Sequence, residues 1–395
     1  MKMQDNMQDK LKEYAASLRS FLAEKFADLS AWLKDYFGTM WQIFALPQLA
    51  KAKWQQLKAW RIKETPRRKL AFAAVLLLML VLSFSLQLYG NSLIGKLQTQ
   101  QAAERWRGTS EQAFAQTTMY LPIGSEWTEG DVRSARQQMD KNLVDAGISA
   151  EEGQQLWIDA YASNAGKLKV RGEYGEAETQ AITVGGDWFF FHPLQLRSGT
   201  YISGDELMKD RIVINELLAW RLFGAIDVAG MEATIGGNTY YVAGVVKMES
   251  DKATKMVHND GPMMFMLYGA ADGDENIAVY ELVSPEPFTN YAFYFLKSYT
   301  EDGGEVINNS RRFNTGRLLM QLMHPAERVI SDSGVAFPYW ENAARVVEVW
   351  AMLLLQWRLI LLVLPAATLA YGLWRGFRVA RSYCKLKWQE FSLTR

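Results

Sequence analysis

Residues 70–95 read LAFAAVLLLMLVLSFSLQLYGNSLIG, about 26 residues without a charge, against the roughly 20 that cover the hydrocarbon core of a bilayer. This run predicts a transmembrane helix and confines each remaining segment to one side of a membrane. It is longer than the apolar region of a secretory leader and follows a long polar stretch, so it reads as a span. A second apolar run, residues 349–374, is interrupted only by Arg358. Arg358 lies about a third of the way in, where a long side chain snorkels to the interface; contact with an acidic group on another helix is the alternative. Pro365 bends such a helix without abolishing it.

Charge sets the orientation. The formal net charge is zero, yet residues 51–69 carry eight Lys or Arg against one acid, and residues 375–395 carry six against one. Basic flanks stay in the cytoplasm, so both ends of the chain are expected there. The stretch between the spans holds 22 basic and 35 acidic residues, an acidic domain outside the membrane that is unsuited to binding nucleic acid. Cys384, the single cysteine, falls in the basic tail, so no disulfide holds the outer domain.

Before the first span, Leu11, Tyr14, Leu18, Leu22, Phe26, Leu29, Leu33, Phe37, Trp41 and Phe44 recur at helical spacing. They predict an amphipathic helical arm that ends at Pro47, followed by a basic helix with Trp54, Leu57 and Trp60. Burial along the inner leaflet, packing on a cytoplasmic partner and a self-contained hairpin are the three fates open to this arm.

The outer domain, residues 96–348, reads as mixed α and β. A helix is expected over 131–146 and strands over 156–161, 167–171, 178–184 and 211–214, with a further strand in the aromatic run 291–297. A helix is expected within 313–323, a polar loop at 308–312, and from Trp340 a helix that continues into the second span. His192, His258 and His324 are far apart in sequence and form no metal-binding spacing. No nucleophile elbow, Ser-x-x-Lys pair or phosphate loop occurs, and the acidic 272–275 segment reads as a solvated turn. No catalytic residue, cofactor site or metal site is assigned, and an enzyme is not expected.

The most legible stretch is residues 211–246, RIVINELLAWRLFGAIDVAGMEATIGGNTYYVAGVV. A β-branched run leads to Asn215, a good helix N-cap; apolar residues at helical spacing follow as far as Phe223, and Gly224 sits where a helix stops. After Gly230 comes a hairpin turning at Gly236 and Gly237, with Gly244 in its second arm. Together with VGGDWFFFHPLQLRSGTYIS at 184–203, whose aromatic word at Trp188 is expected as a strand by the resemblance, this word order resembles the periplasmic core domain of MacB-type ABC transporter permeases. The matching positions are Asp187, Trp188, Phe189, Gly199, Val213, Ile214, Asn215, Arg221, Leu222, Phe223, Gly224, Gly230, Gly237, Val242, Gly244 and Val245.

The resemblance implies an α+β extracytoplasmic domain of the MacB-like kind, which the chain's own pattern sets between two transmembrane helices with a cytoplasmic amphipathic arm at the N-terminus. The expected division is arm 1–69, first span 70–95, outer domain 96–348, second span 349–374 and basic tail 375–395. It also implies a non-catalytic membrane subunit that couples a cytoplasmic ABC ATPase to the outer domain, alone or beside a partner permease, as a homo- or hetero-oligomer. Two features depart from the family. Such permeases have four spans rather than two, with a coupling segment after the second, and they lack the long arm. A membrane-anchored scaffold or sensor for an envelope ligand or protein is the alternative. Arg358, Arg375, Arg378, Arg381, Lys385 and Lys387 are the candidate contacts to partner or membrane lipids, and Asn215, Phe223, Gly224, Gly230, Gly236, Gly237 and Gly244 the structural anchors.

Overall fold

The computed structural model describes residues 66–148, 155–258, 261–270, 276–300, 303–322 and 334–393. The amphipathic arm, the 272–275 turn and His324 lie outside the described residues. The chain divides into two units, one comprising residues 1–91, 324–330 and 352–395 and the other 92–323 and 331–351.

In the first unit, helix α1 (Pro66–Ile94) runs to the boundary without a break. The last helix of the chain, α9 (Tyr339–Leu393), is continuous through Pro365 and belongs to the second unit as far as Ala351. Among the described residues, these two helices are long and apolar enough to cross a membrane. Their exposed faces carry Leu70, Leu77, Phe84 and Leu88 on α1 and Val363, Leu369, Leu373 and Phe377 on α9, a surface suited to lipid rather than water.

The second unit is built on one mixed sheet of ten strands among the described residues, in the order β10-β1-β9-β2-β3-β8-β5-β7-β4, with β6 bridging β2 and β7. The strands are β1 (Phe114–Tyr120), β2 (Ile158–Arg171), β3 (Glu176–Gly186), β4 (Gln195–Gly199), β5 (Arg211–Asn215), β6 (Glu232–Ile235), β7 (Asn238–Lys247), β8 (Met263–Leu267), β9 (Val279–Pro285) and β10 (Glu305–Asn308). Alternation assigns their faces. On β5, Ile212 and Ile214 join one apolar cluster and Val213 another; on β8, Met264 and Met266 part from Met263, Phe265 and Leu267 in the same way. Helix α3 (Glu129–Asp145) and α7 (Tyr291–Lys297) pack with Met119, Tyr280 and Leu282, and α5 (Glu216–Phe223) packs with Ile212, Ile214 and Val245. With Tyr120, Val283 and Phe265 lie α2 (Ala102–Arg107), the short α4 (Trp188–Phe191) and the first turn of α9. The central strands are therefore covered on both faces and read as nearly unbroken apolar runs.

The 211–246 stretch folds through its local signals. Asn215 Oδ1 accepts from the Leu218 amide at 3.0 Å and caps α5. Gly224 ends α5 at φ 67°, its amide donating to Trp220 O. Gly236 and Gly237, both at positive φ, form the two-residue turn between Ile235 and Asn238. A Cβ at Gly224 meets nothing, so a side chain there costs only backbone strain. Gly224→Val is expected to destabilise the chain by about 1 kcal/mol. Unchanged thermal unfolding in detergent counts against this reading.

Four expectations are corrected. Residues 291–297 form a helix, not a strand: Tyr291, Ala292, Phe295 and Leu296 are the buried positions, a helical spacing that a short aromatic run does not distinguish from a strand. The aromatic word at Trp188, expected as a strand by resemblance, is a helical turn. The strands expected at 156–161 and 167–171 are one strand, β2, with a register shift between Asn164 and Gly166. The polar loop at 308–312 is a 3₁₀ turn, Asn309–Arg311, followed by a fully buried arginine.

Candidate functional site: a buried ion cluster at the roots of the membrane helices

That arginine is Arg312. Its Nη1 and Nη2 donate to the two carboxylate oxygens of Glu341 at 2.7 and 2.9 Å, and its Nε donates to Glu348 at 2.9 Å. All three side chains are 0% exposed. Nη1 also reaches Gln100 Oε1 at 3.3 Å. Arg345 extends the cluster, donating to Glu341 at 2.8 Å and Glu305 at 2.7 Å while its guanidinium lies 3.8 Å from the centre of the Phe337 ring. Tyr120 closes it with a 3.1 Å bond to Glu341.

Local structure explains the assembly. Glu341, Arg345 and Glu348 are spaced by four and three on α9, so one helical face carries all three charges toward the sheet. Gln116, Thr118 and Tyr120 alternate on β1 and share the opposing face. Gln100 belongs to the 3₁₀ turn Gln98–Gln100 that follows α1. That turn is itself tied to β1, because Gln116 Nε2 donates to Thr99 O at 2.7 Å and Gln116 Oε1 accepts from the Ala102 amide at 2.9 Å. One arginine thus binds both the segment that leaves the first candidate span and the helix that enters the second.

The electrostatics are those of a dry, fully engaged cluster. Burial alone lowers the pKa of Arg312, and Glu341 and Glu348 outweigh it, so the guanidinium is held above its ordinary value. Burial, reinforced by Glu341, pushes the Tyr120 hydroxyl well above the tyrosine range and keeps it a donor. Breaking such a cluster on one side leaves an uncompensated charge, whereas replacing all of it with apolar residues is far less costly.

A second buried polar pair lies on the same face of the sheet. His192 Nε2 is 2.8 Å from Glu281 Oε2, Thr118 donates to Glu281 at 3.2 Å, and Asn309 donates to Thr118 at 3.0 Å. His192 stacks on Trp188 with ring centres 3.8 Å apart, and Trp340 of α9 stands edge-on to both rings. Nearby, partly buried Glu249 accepts from Tyr339 at 3.1 Å.

Burial raises the pKa of Glu249, with His192 and the Tyr339 bond opposing in part. A folded pKa above the unfolded one favours the folded state fully below the unfolded value, and that stability is lost as pH rises through the folded value. Glu249→Gln is therefore expected to raise the unfolding midpoint at about pH 8 and to leave it unchanged near about pH 4. An equal shift at both pH values removes titration as the cause.

A groove of about 460 Å³ is lined by Arg136, Asp140, Asp159, Asp187 and Asp205. Its charged groups are partly satisfied within the protein: Arg136 holds Asp159 through two 2.7 Å bonds, and Trp157 donates to Asp140. Among the described residues no group of three metal-ligating side chains converges.

The residues singled out in the sequence lie apart from the ion cluster. The hairpin and cap positions Asn215, Phe223, Gly224, Gly230, Gly236, Gly237 and Gly244 shape the other half of the sheet. Arg358 donates to Gln87 of α1 at 2.6 Å, a neutral partner on the other span that the sequence reading did not weigh. Arg375, Arg378 and Arg381 are exposed along α9; Lys385 and Lys387 belong to the same helix. Arg312, Glu341, Arg345 and Glu348 went unnoticed. The signal available was the three-and-four spacing of charges beside Trp340, Ala344 and Val347 on an otherwise apolar helix.

Two candidate spans, with the sheet domain between them in sequence, fit a membrane protein with a large extracytoplasmic domain. No protein-family model matches the chain. No curated protein matches it either. Among solved structures it is similar to the extracellular domain of the noncanonic ABC-type transporter YknZ from Gram-positive bacteria, at 13% identity and a TM-score of 0.33, covering 49% of this chain and 100% of that one. It is also similar to the periplasmic region of MacB from Actinobacillus actinomycetemcomitans, at 14% identity and a TM-score of 0.35, covering 53% and 92%. A domain of a protein named as a permease from Porphyromonas gingivalis matches at 15% identity and a TM-score of 0.29, covering 49% and 86%. The first two are an extracellular domain and a periplasmic region.

Proposed function

We propose that this chain is a non-catalytic membrane subunit of a MacB-like ABC transporter assembly, passing motion between a cytoplasmic ATPase and the outer domain. The observation that carries the proposal is the Arg312 cluster. It fastens the turn after α1 and the start of α9 to the same strand, as a domain driven through its two membrane connections requires. The basic flanks of both spans support an orientation with the two chain ends in the cytoplasm, where an ATPase resides.

A pull-down of the full chain from its native membrane in mild detergent, followed by mass spectrometry, tests the proposal. Recovery of an ABC ATPase is expected, with loss of that ATPase when residues 375–395 are deleted. Recovery of envelope proteins alone overturns the transporter reading in favour of a scaffold or sensor.

A further inference from the structure

Neither apolar run contains an acid, and Arg358 is their single charge. It stands nine residues into its run, and Gln87 stands eight from the end of the other. On helices both therefore lie about 12–14 Å from the headgroup level on the side of residues 96–348. A snorkelling arginine runs along its own helix to that level. This one instead crosses to α1, where Nη2 donates to Gln87 Oε1 at 2.6 Å, and its Nε is buried without a hydrogen-bond partner. Gln87 is neutral, so the bond directs the guanidinium without cancelling its charge. A charged group at this depth faces another helix or a polar cavity and is paired there.

Gln87 belongs to an exposed stripe of α1. Leu80, Phe84, Gln87 and Asn91 recur at spacings of four, three and four, and all are exposed, Phe84 at 62%. The stripe lies beside the face that α1 turns to α9, which carries buried Ser83 and Gly90, the latter close to Leu354. Residues at this spacing form the seam of a helix pair, and Gln and Asn within a membrane seam bond across to the partner helix.

The charge of Arg358 decides what covers the stripe. A second copy of this chain offers no carboxylate at this depth, because its spans hold none, and it brings a second arginine. A headgroup phosphate lies about 12 Å away along the helix axis. A carboxylate on the span of a different protein meets the guanidinium at its own level.

We propose that the 80–91 stripe of α1 receives a transmembrane helix of another membrane protein, whose Asp or Glu lies opposite Gln87 and pairs with Arg358. Gln87 holds the guanidinium with its Oε1 and offers its Nε2 to the same carboxylate. The inference rests on α1 and α9 crossing the membrane, and on neither the transporter reading nor the identity of any ATPase.

Photo-crosslinking in the native membrane tests the pairing. The full chain carries p-benzoylphenylalanine in place of Phe84, or in place of Leu82 on another face of α1 as a control, and variants are compared at equal amounts of chain in the membrane. The expected result is an adduct at position 84 with a different membrane protein, several-fold above position 82. Arg358→Gln should lower its yield several-fold and Arg358→Lys should keep most of it. Mass spectrometry should place Asp or Glu in the captured span, and exchanging the charges, Arg358→Glu here and the acid to Arg in the partner, should restore a yield that either change alone removes. An adduct only with a differently tagged second copy or only with lipid, a captured span without an acid, indifference to Arg358→Gln, equal yield at position 82, no adduct at position 84, or no restoration on exchange each overturn the proposal. Labelling of Cys384 and of a Ser110→Cys variant by a membrane-impermeant maleimide reads the spans separately: reaction of both from the same side removes the spanning premise itself.

Discussion

Arg312→Met is expected to cost about 3–5 kcal/mol of stability, the range for removing one side of a buried ion pair, because Glu341 and Glu348 stay in the core without their main counter-charge. The loss should appear as a lower midpoint in thermal unfolding of the detergent-solubilised chain. Arg312→Lys keeps the charge but not the fork that meets both oxygens of Glu341, so an intermediate loss is expected. Replacing Arg312, Glu341 and Glu348 together with apolar residues should recover much of the stability while leaving the roots of the helices without their ionic tie. A cost below about 1 kcal/mol for Arg312→Met, the level of a surface pair, would falsify the description of the cluster as dry.

Gly244→Ala has the second large expected effect. A Cβ built there meets the carbonyl oxygen of Thr200 and lies 3.0 Å from that of Ser198, both main-chain atoms that have no rotamer to escape into. β4 and β7 pair at this point, with Gly199 opposite Gly244, so the strand would have to shift with its ladder. The expected loss lies at the upper end of the roughly 1–3 kcal/mol seen for overpacked cores. A variant that unfolds at the same denaturant midpoint as the parent shows that the crossing has room to relax.

These two positions also mark how much of the molecule its sequence discloses. Residues 211–246 were legible because every boundary is set within a few residues: a cap at Asn215, a left-handed glycine at Gly224, a two-glycine turn at 236–237. The two long apolar helices were legible because length and absence of charge suffice. Arg312 was not, since its partners Glu341 and Glu348 are 29 and 36 residues away and Gln100 is 212 residues away. No local pattern separates an arginine that returns to the core from one in a solvated turn. The helix at 291–297 failed for a related reason: its aromatic residues suit a strand, and packing against Met119 and Leu282 decided the matter.

The chemistry of the fastening at Arg312 determines how the root of α9 can respond to a push. Apolar interfaces slide, because one van der Waals neighbour replaces another at small cost. A forked guanidinium between two carboxylates in a water-free core has no such gradation: displacement by an ångström or so forfeits directional bonds before any substitute is in reach. The root therefore behaves as a rivet rather than a bearing: it stays with the sheet or the joint breaks outright.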